Sequence, residues 1–76
     1  MRFTVTTENG SFYEFNLQDG LTIFRQGDLL GKVISFKDSS ITVGNSLSFE
    51  YHSFGMHNHT PTLITTDPIK EISIIL

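Results

Sequence analysis

The sequence predicts an all-β fold, a small antiparallel barrel or roll formed by residues 1–76 as a single domain with little or no helix. The chain has no alanine, the residue with the highest helix propensity. It has 3 Val, 8 Ile and 9 Thr, whose branched side chains favour strands, together with 7 Phe and 2 Tyr. Turn residues recur about every 8 to 12 residues, a spacing typical of compact sheets with short strands.

Three strands are predicted in the first part of the chain. Residues 2–7 (RFTVTT) alternate apolar and polar side chains, and Asn9-Gly10 predicts a hairpin turn of the tight, primed kind. A second alternating strand is expected at residues 11–17 (SFYEFNL) and a third at residues 21–25 (LTIFR). The polar residues 18–20 predict the turn between them.

The remaining strands are shorter or less regular. Residues 32–36 (KVISF) are apolar on both faces, which predicts a buried central strand or a position in a barrel. Further strands are expected at residues 41–43 and 47–52, near residues 62–66 and at residues 69–76. In the strand at 47–52, the odd-numbered side chains are expected to point inward, because side chains alternate between the two faces of a sheet.

One segment has no clear strand pattern. Asp28 is expected either to cap a single helical turn that Gly31 ends, or to belong to a loop. Residues 27–44 resemble the strand–turn–strand opening of many small barrels, including OB folds of the S1 type, and the resemblance carries no binding residue across. Since closure removes exposed strand edges, we expect an SH3-like or OB-like barrel rather than an open sheet.

Composition argues against several classes of function. The net charge is −3, from 8 acidic and 5 dispersed basic residues, whereas nucleic-acid binders and peripheral membrane proteins concentrate Lys and Arg on one surface. The absence of cysteine excludes disulfides and thiolate metal ligands. The first residues contain no apolar run of signal-peptide or membrane-span length, so we expect a cytoplasmic protein without membrane contact.

All three histidines lie in one polar stretch, at His52, His57 and His59. In an extended segment His57 and His59 face the same side, an arrangement that begins many zinc and non-haem iron sites. Such a site, for zinc or another divalent metal, would also stabilise a small domain. The competing interpretation is a polar loop without a cofactor, and glycine, asparagine and proline in the same stretch favour it.

No sequence pattern indicates catalysis. A Gly-x-Ser-x-Gly elbow is absent, and each of the six glycines stands alone rather than in a phosphate-binding loop. We therefore expect a protein that is not an enzyme and has no catalytic residues.

Apolar residues outside the expected core indicate an interaction surface instead. Ile75 lies on the opposite face of the last strand from Ile72 and Ile74, so that strand is apolar on both faces. It is expected to lie centrally or to pair with another chain. Phe54 and Met56, in the histidine stretch, are of types enriched in interface cores. At least one of three phenylalanines is expected to be exposed: Phe12, Phe24 and Phe54.

These observations lead to three hypotheses of different kinds. The first is a non-enzymatic protein–protein interaction or assembly module that associates with itself or joins a larger assembly. Its contact residues would be Phe54, Met56, Ile75 and Leu76. The second is a small metal-binding protein that uses the three histidines, and the third is a small barrel with weak affinity for nucleic acid.

Overall fold

The computed structural model describes residues 1–54 and 60–76 and contains one seven-stranded antiparallel sheet. The all-β class and the absence of helix are thereby confirmed for the described residues. The strands follow one another in the sheet in the order β6-β5-β4-β3-β2-β1-β7. Their bounds are β1 Arg2–Thr7, β2 Phe12–Gln18, β3 Gly20–Arg25, β4 Asp28–Phe36, β5 Ser48–Ser53, β6 Thr62–Thr65 and β7 Ile69–Ile75.

The core lies on the concave face of the sheet and is centred on aromatic rings. Phe15 on β2 is fully buried, stacks on Phe3 at 4.7 Å between ring centroids, and meets Phe49 edge-to-face at 5.3 Å. Such pairs add stability beyond the apolar area that they bury. The inward orientation predicted for the strand at 47–52 is confirmed by its three buried side chains, Leu47, Phe49 and Tyr51.

The first hairpin turn differs from the predicted type. The carbonyl of Thr7 accepts a bond from the N–H of Gly10 at 3.0 Å, and Gly10 has a φ of 88°. Both primed two-residue turns need positive φ at the first central residue, which here would be Asn9. Asn9 does not have it, so the hairpin has a longer loop that ends in a left-handed glycine. A primed geometry is instead approached at Gln26-Gly27, where φ is 51° and 85°.

Two predictions about the middle of the chain are wrong. Asp28 begins strand β4, which continues through Gly31, so the segment is neither a helical turn nor a loop. Residues 41–43, predicted as a strand, lie outside the sheet. They lead into a turn in which the N–H of Asn45 bonds the carbonyl of Thr42 at 3.2 Å.

The sheet curls into a half-barrel, and the long β4–β5 connection bridges part of the gap. Ile69 donates to Asn45 and accepts from Gly44, and the N–H of Thr66 bonds the carbonyl of Leu47 at 2.9 Å. Within the described ranges no ladder joins β6 to β7, so the expected closure is replaced by loop contacts at one corner.

Among residues 1–54 and 60–76, no helix has the length and apolarity needed to cross a membrane.

Candidate interaction site at the β7 edge

Strand β7 lies at one end of the sheet and pairs along one side with β1. This excludes the central position that was one of the two alternatives for the last strand. At its beginning, the other side of β7 is covered, because the main-chain groups of Ile69 bond Gly44 and Asn45. Beyond that point no loop or turn hydrogen bond between main-chain groups of the described residues reaches Ile72 or Ile74. We call this uncovered side the β7 edge, from Ile72 to Ile75.

The alternation of the β1 ladders determines which main-chain groups point out of the β7 edge. Met1 and Thr7 bond the β2 side, since Met1 accepts from Leu17 of β2 and Thr7 donates to Ser11, the residue before β2. In an antiparallel sheet successive residues bond opposite neighbours, so Arg2, Thr4 and Thr6 bond β7. The residues of β7 paired with them are Glu71, Ser73 and Ile75.

The intervening residues of β7 therefore point their N–H and C=O groups away from β1. These are Ile72 and Ile74, which lie two positions apart in the extended strand. Unpaired main-chain groups in a row are a template for an added strand.

An apolar groove follows the β7 edge on the concave face of the sheet. It has a volume of about 180 Å³ and is lined by Phe3, Ile41, Ile72 and Ile74. The side chain of Ile74 is 65% exposed, whereas Ile72 is partly covered by the core. An apolar cavity of about 150 Å³ holds a benzene-sized group, so the groove has room for one aliphatic side chain.

The convex face beside the β7 edge carries Ile75, which is 43% exposed and lies opposite Arg2 in the β1 ladder. Ile75 and Leu76, both predicted interaction residues, occur together in a shallow surface depression of about 250 Å³. The other lining residues are Met1, Arg2, Asn16 and Gln18. The β7 edge is thus apolar on both faces, as the sequence indicated.

Strand β6 forms the opposite edge and has a different character. It is four residues long, Thr62–Thr65, and Leu63 is its most exposed apolar side chain at 57%. A short edge strand offers few main-chain groups to an incoming strand. This makes β6 a natural reference for experiments on the β7 edge.

No family model, curated protein or solved structure matches the chain.

The predicted interaction residues lie near strands that are not neighbours in the sheet order. Phe54 is 55% exposed at the end of β5, and four strands separate β5 from β7 in the sheet. Met56 lies outside the described residues. The prediction that at least one of three phenylalanines is exposed is confirmed by Phe12 and Phe54.

The metal hypothesis falls largely outside the described residues, because His57 and His59 belong to the segment 55–59. His52 lies on β5, directly opposite Lys32 of β4. In residues 1–54 and 60–76 no group of three potential metal ligands is gathered.

Sequence reasoning missed the groove, although it placed Ile72 and Ile74 on one face. The lining of the groove includes Ile41, and the sequence pattern predicts a separate strand at that residue. The periodicity of the last strand was enough to place two of the four lining residues, Ile72 and Ile74, on one face. The position of Ile41 is set instead by the hydrogen bonds of Gly44 and Asn45 to Ile69.

Proposed function

We propose that the chain is a non-enzymatic protein interaction module that binds an extended polypeptide strand along the β7 edge. The observation that carries the proposal is the pair of outward main-chain groups at Ile72 and Ile74 beside an apolar groove. Strand addition obtains affinity from main-chain bonds and specificity from side-chain pockets. The β7 edge offers both.

The exposed apolar surface supports the same function. Ile74 is 65% exposed and Ile75 is 43% exposed on adjacent positions of one edge strand. A long apolar edge is an aggregation hazard unless it is charged, bulged or covered. The charged residues of β7, Lys70 and Glu71, lie before the β7 edge rather than on it. An added strand covers the edge and both of its exposed isoleucines.

The proposal is tested by sedimentation of the 76-residue chain over micromolar to millimolar concentrations, with Ile74→Lys as the variant. Full burial of an isoleucine is worth about 1.5–3 kcal/mol. If each of two subunits loses about 2 kcal/mol, the dissociation constant rises on the order of 10³-fold. Circular dichroism is expected to show an unchanged fold, because Ile74 is largely exposed in the single chain.

Leu63→Lys on β6 is the matched control, since it places the same charge on the other edge at similar exposure. It is expected to leave association unchanged. A chain that stays monomeric throughout the concentration range and binds no extended peptide would overturn the proposal. So would equal dissociation constants for the wild type and Ile74→Lys.

A further inference from the structure

We infer that the strand bound at the β7 edge is β7 of a second copy, antiparallel, with the two-fold axis passing beside Ser73. The inference rests on the proposed function and adds the identity, direction and register of the occupant. In this register Ile72 lies opposite Ile74 of the second copy, Glu71 lies opposite its Ile75, and the two Ser73 residues face each other.

Main-chain geometry favours registers in which Ile72 and Ile74 lie opposite residues on the same face of the second copy. Two copies related by a two-fold axis perpendicular to the sheet pair residues of the same parity, and a one-residue slip would reverse every side chain. Ile72 and Ile74 both direct their main-chain groups outward. Placed opposite each other they form hydrogen-bonded pairs, each of which exchanges two N–H···O bonds, about four in total. The spacing of two residues makes the edge complementary to itself.

A register centred on Ile72 is blocked by the loop. It would place Ile75 of the second copy opposite Ile69. The main-chain groups of Ile69 are already bonded to Gly44 and Asn45. An incoming strand at that position would occupy the same side of β7 as the loop.

A register centred on Ile74 leaves the main-chain groups of Ile72 without a partner inside β7. It would pair Ile72 with Leu76 of the second copy, which lies beyond the end of β7. Within the bounds of the strand, only the Ile74 residues would exchange main-chain bonds. The register centred on Ser73 bonds both outward residues within β7 and leaves Ile69 to its loop.

The concave side chains fit the same arrangement. The register places Ile72 and Ile74 of both copies on one face, in two adjacent rungs. Ile74 of the second copy then lies beside Ile72, over the groove lined by Phe3 and Ile41. Because the groove has a volume of about 180 Å³, an isoleucine side chain can enter it.

The convex side chains add charge complementarity. Glu71 lies across from Ile75 of the second copy, and Arg2 is the neighbour of Ile75 on its other side. Glu71 and Arg2 of the second copy are thus separated by two strand spacings, about 10 Å between Cα atoms. Their side chains are long enough to meet over Ile75 and cover it. No charged residue of β7 is placed opposite a like charge.

Single-cysteine variants test the register, because the chain contains no cysteine of its own. Ser73→Cys places two thiols across a non-hydrogen-bonded pair with Cα atoms about 4.5 Å apart, within disulfide range. Under mild oxidation at micromolar protein it is expected to form a covalent dimer. Thiols held in place act at millimolar effective concentration, so cross-linking should be on the order of 10³-fold faster than for Asp19→Cys on an exposed turn.

Two further variants distinguish the register centred on Ser73 from those centred on Ile72 and Ile74. Glu71→Cys and Ile75→Cys are each expected to form no covalent dimer alone and to cross-link to each other when mixed. Preferential cross-linking of Ser73→Cys with Ile75→Cys would indicate a centre at Ile74. Cross-linking of Ser73→Cys with Glu71→Cys would indicate a centre at Ile72. Either result overturns the inference.

The inference and the proposed function fail differently. If the wild type is dimeric, Ile74→Lys is monomeric and Ser73→Cys does not cross-link, the register is wrong and the β7 edge remains the interface. If the wild type is monomeric but binds an extended peptide that Ile74→Lys does not bind, the second copy is the wrong occupant. If neither association occurs, both are overturned.

Discussion

Replacement of Gly31 by alanine tests a close approach between two strands of the sheet. Gly31 is buried in β4, opposite Ser53 of β5, and a Cβ atom built on it would lie 1.9 Å from the carbonyl oxygen of His52. It would also lie 2.7 Å from the carbonyl carbon of His52. These are main-chain atoms, so no side-chain rotation relieves the contact. Strands β4 and β5 must move apart.

The expected cost follows from that displacement. Cβ atoms essentially never approach other atoms within 3.0 Å, so the strands must separate by about 1 Å at this point. Overpacking of this kind costs typically about 1–3 kcal/mol. A ladder hydrogen bond lost in the separation costs about 1 kcal/mol more. We expect Gly31→Ala to lower the free energy of unfolding by about 3 kcal/mol, which in a domain of this size lowers Tm by roughly 12–24 °C.

Thermal and urea unfolding followed by circular dichroism measure this loss. Gly10→Ala is the control, because Gly10 has a φ of 88° and open space around its Cβ position. Its expected cost is the backbone strain alone, about 1–2 kcal/mol. Without a clash, alanine in place of a strand glycine stabilises a protein by about 0.4–1 kcal/mol. A Gly31→Ala variant as stable as the wild type would therefore refute the close approach of β4 to β5.

Three further predictions concern the core, a buried hydroxyl and the histidines. In urea unfolding, Phe15→Ala is expected to lower the free energy of unfolding by about 3–5 kcal/mol and to leave much of the chain unfolded at 37 °C. Phe12→Ala, on the exposed face of β2, should change it by less than about 1 kcal/mol. The Thr66 hydroxyl accepts from the N–H of Leu47 at 3.0 Å, so Thr66→Val is expected to cost about 1–3 kcal/mol. The control Thr65→Val loses an exposed bond to the Ser48 hydroxyl that water can replace, so its cost should be below about 1 kcal/mol, and equal losses would contradict the role of the Thr66 bond. Elemental analysis of untagged protein is expected to find substoichiometric metal, and one zinc per chain would favour the histidine hypothesis instead.

The sequence predicted most strands because their patterns are local. The alternation of residues 2–7 and 47–52 places their strands within one residue of β1 and β5. At Asp28 and Gly31 the local helix-capping pattern was misleading, since Gly31 is required by the neighbouring main chain of β5. A glycine needed for close approach between strands looks the same in sequence as one that ends a helix.

The candidate site was only partly predictable for a related reason. Periodicity placed Ile75 on the opposite face from Ile72 and Ile74, and the structure confirms that division. Strand order is a tertiary property, so the sequence left open whether β7 lies centrally or at an edge. The contribution of Ile41 to the groove depends on a loop that is held by Ile69, and local β propensity suggested a strand there instead.

Amide hydrogen exchange at two positions tests the β7 edge most directly. The N–H groups of Ile72 and Ile74 point outward, whereas the N–H of Ser73 points toward β1. In dilute protein we expect rapid exchange at Ile72 and Ile74 and slow exchange at Ser73. At concentrations where the chain associates, exchange at Ile72 and Ile74 should become slow as well. Exchange at those two amides that is equally fast at every concentration would contradict strand addition at the β7 edge.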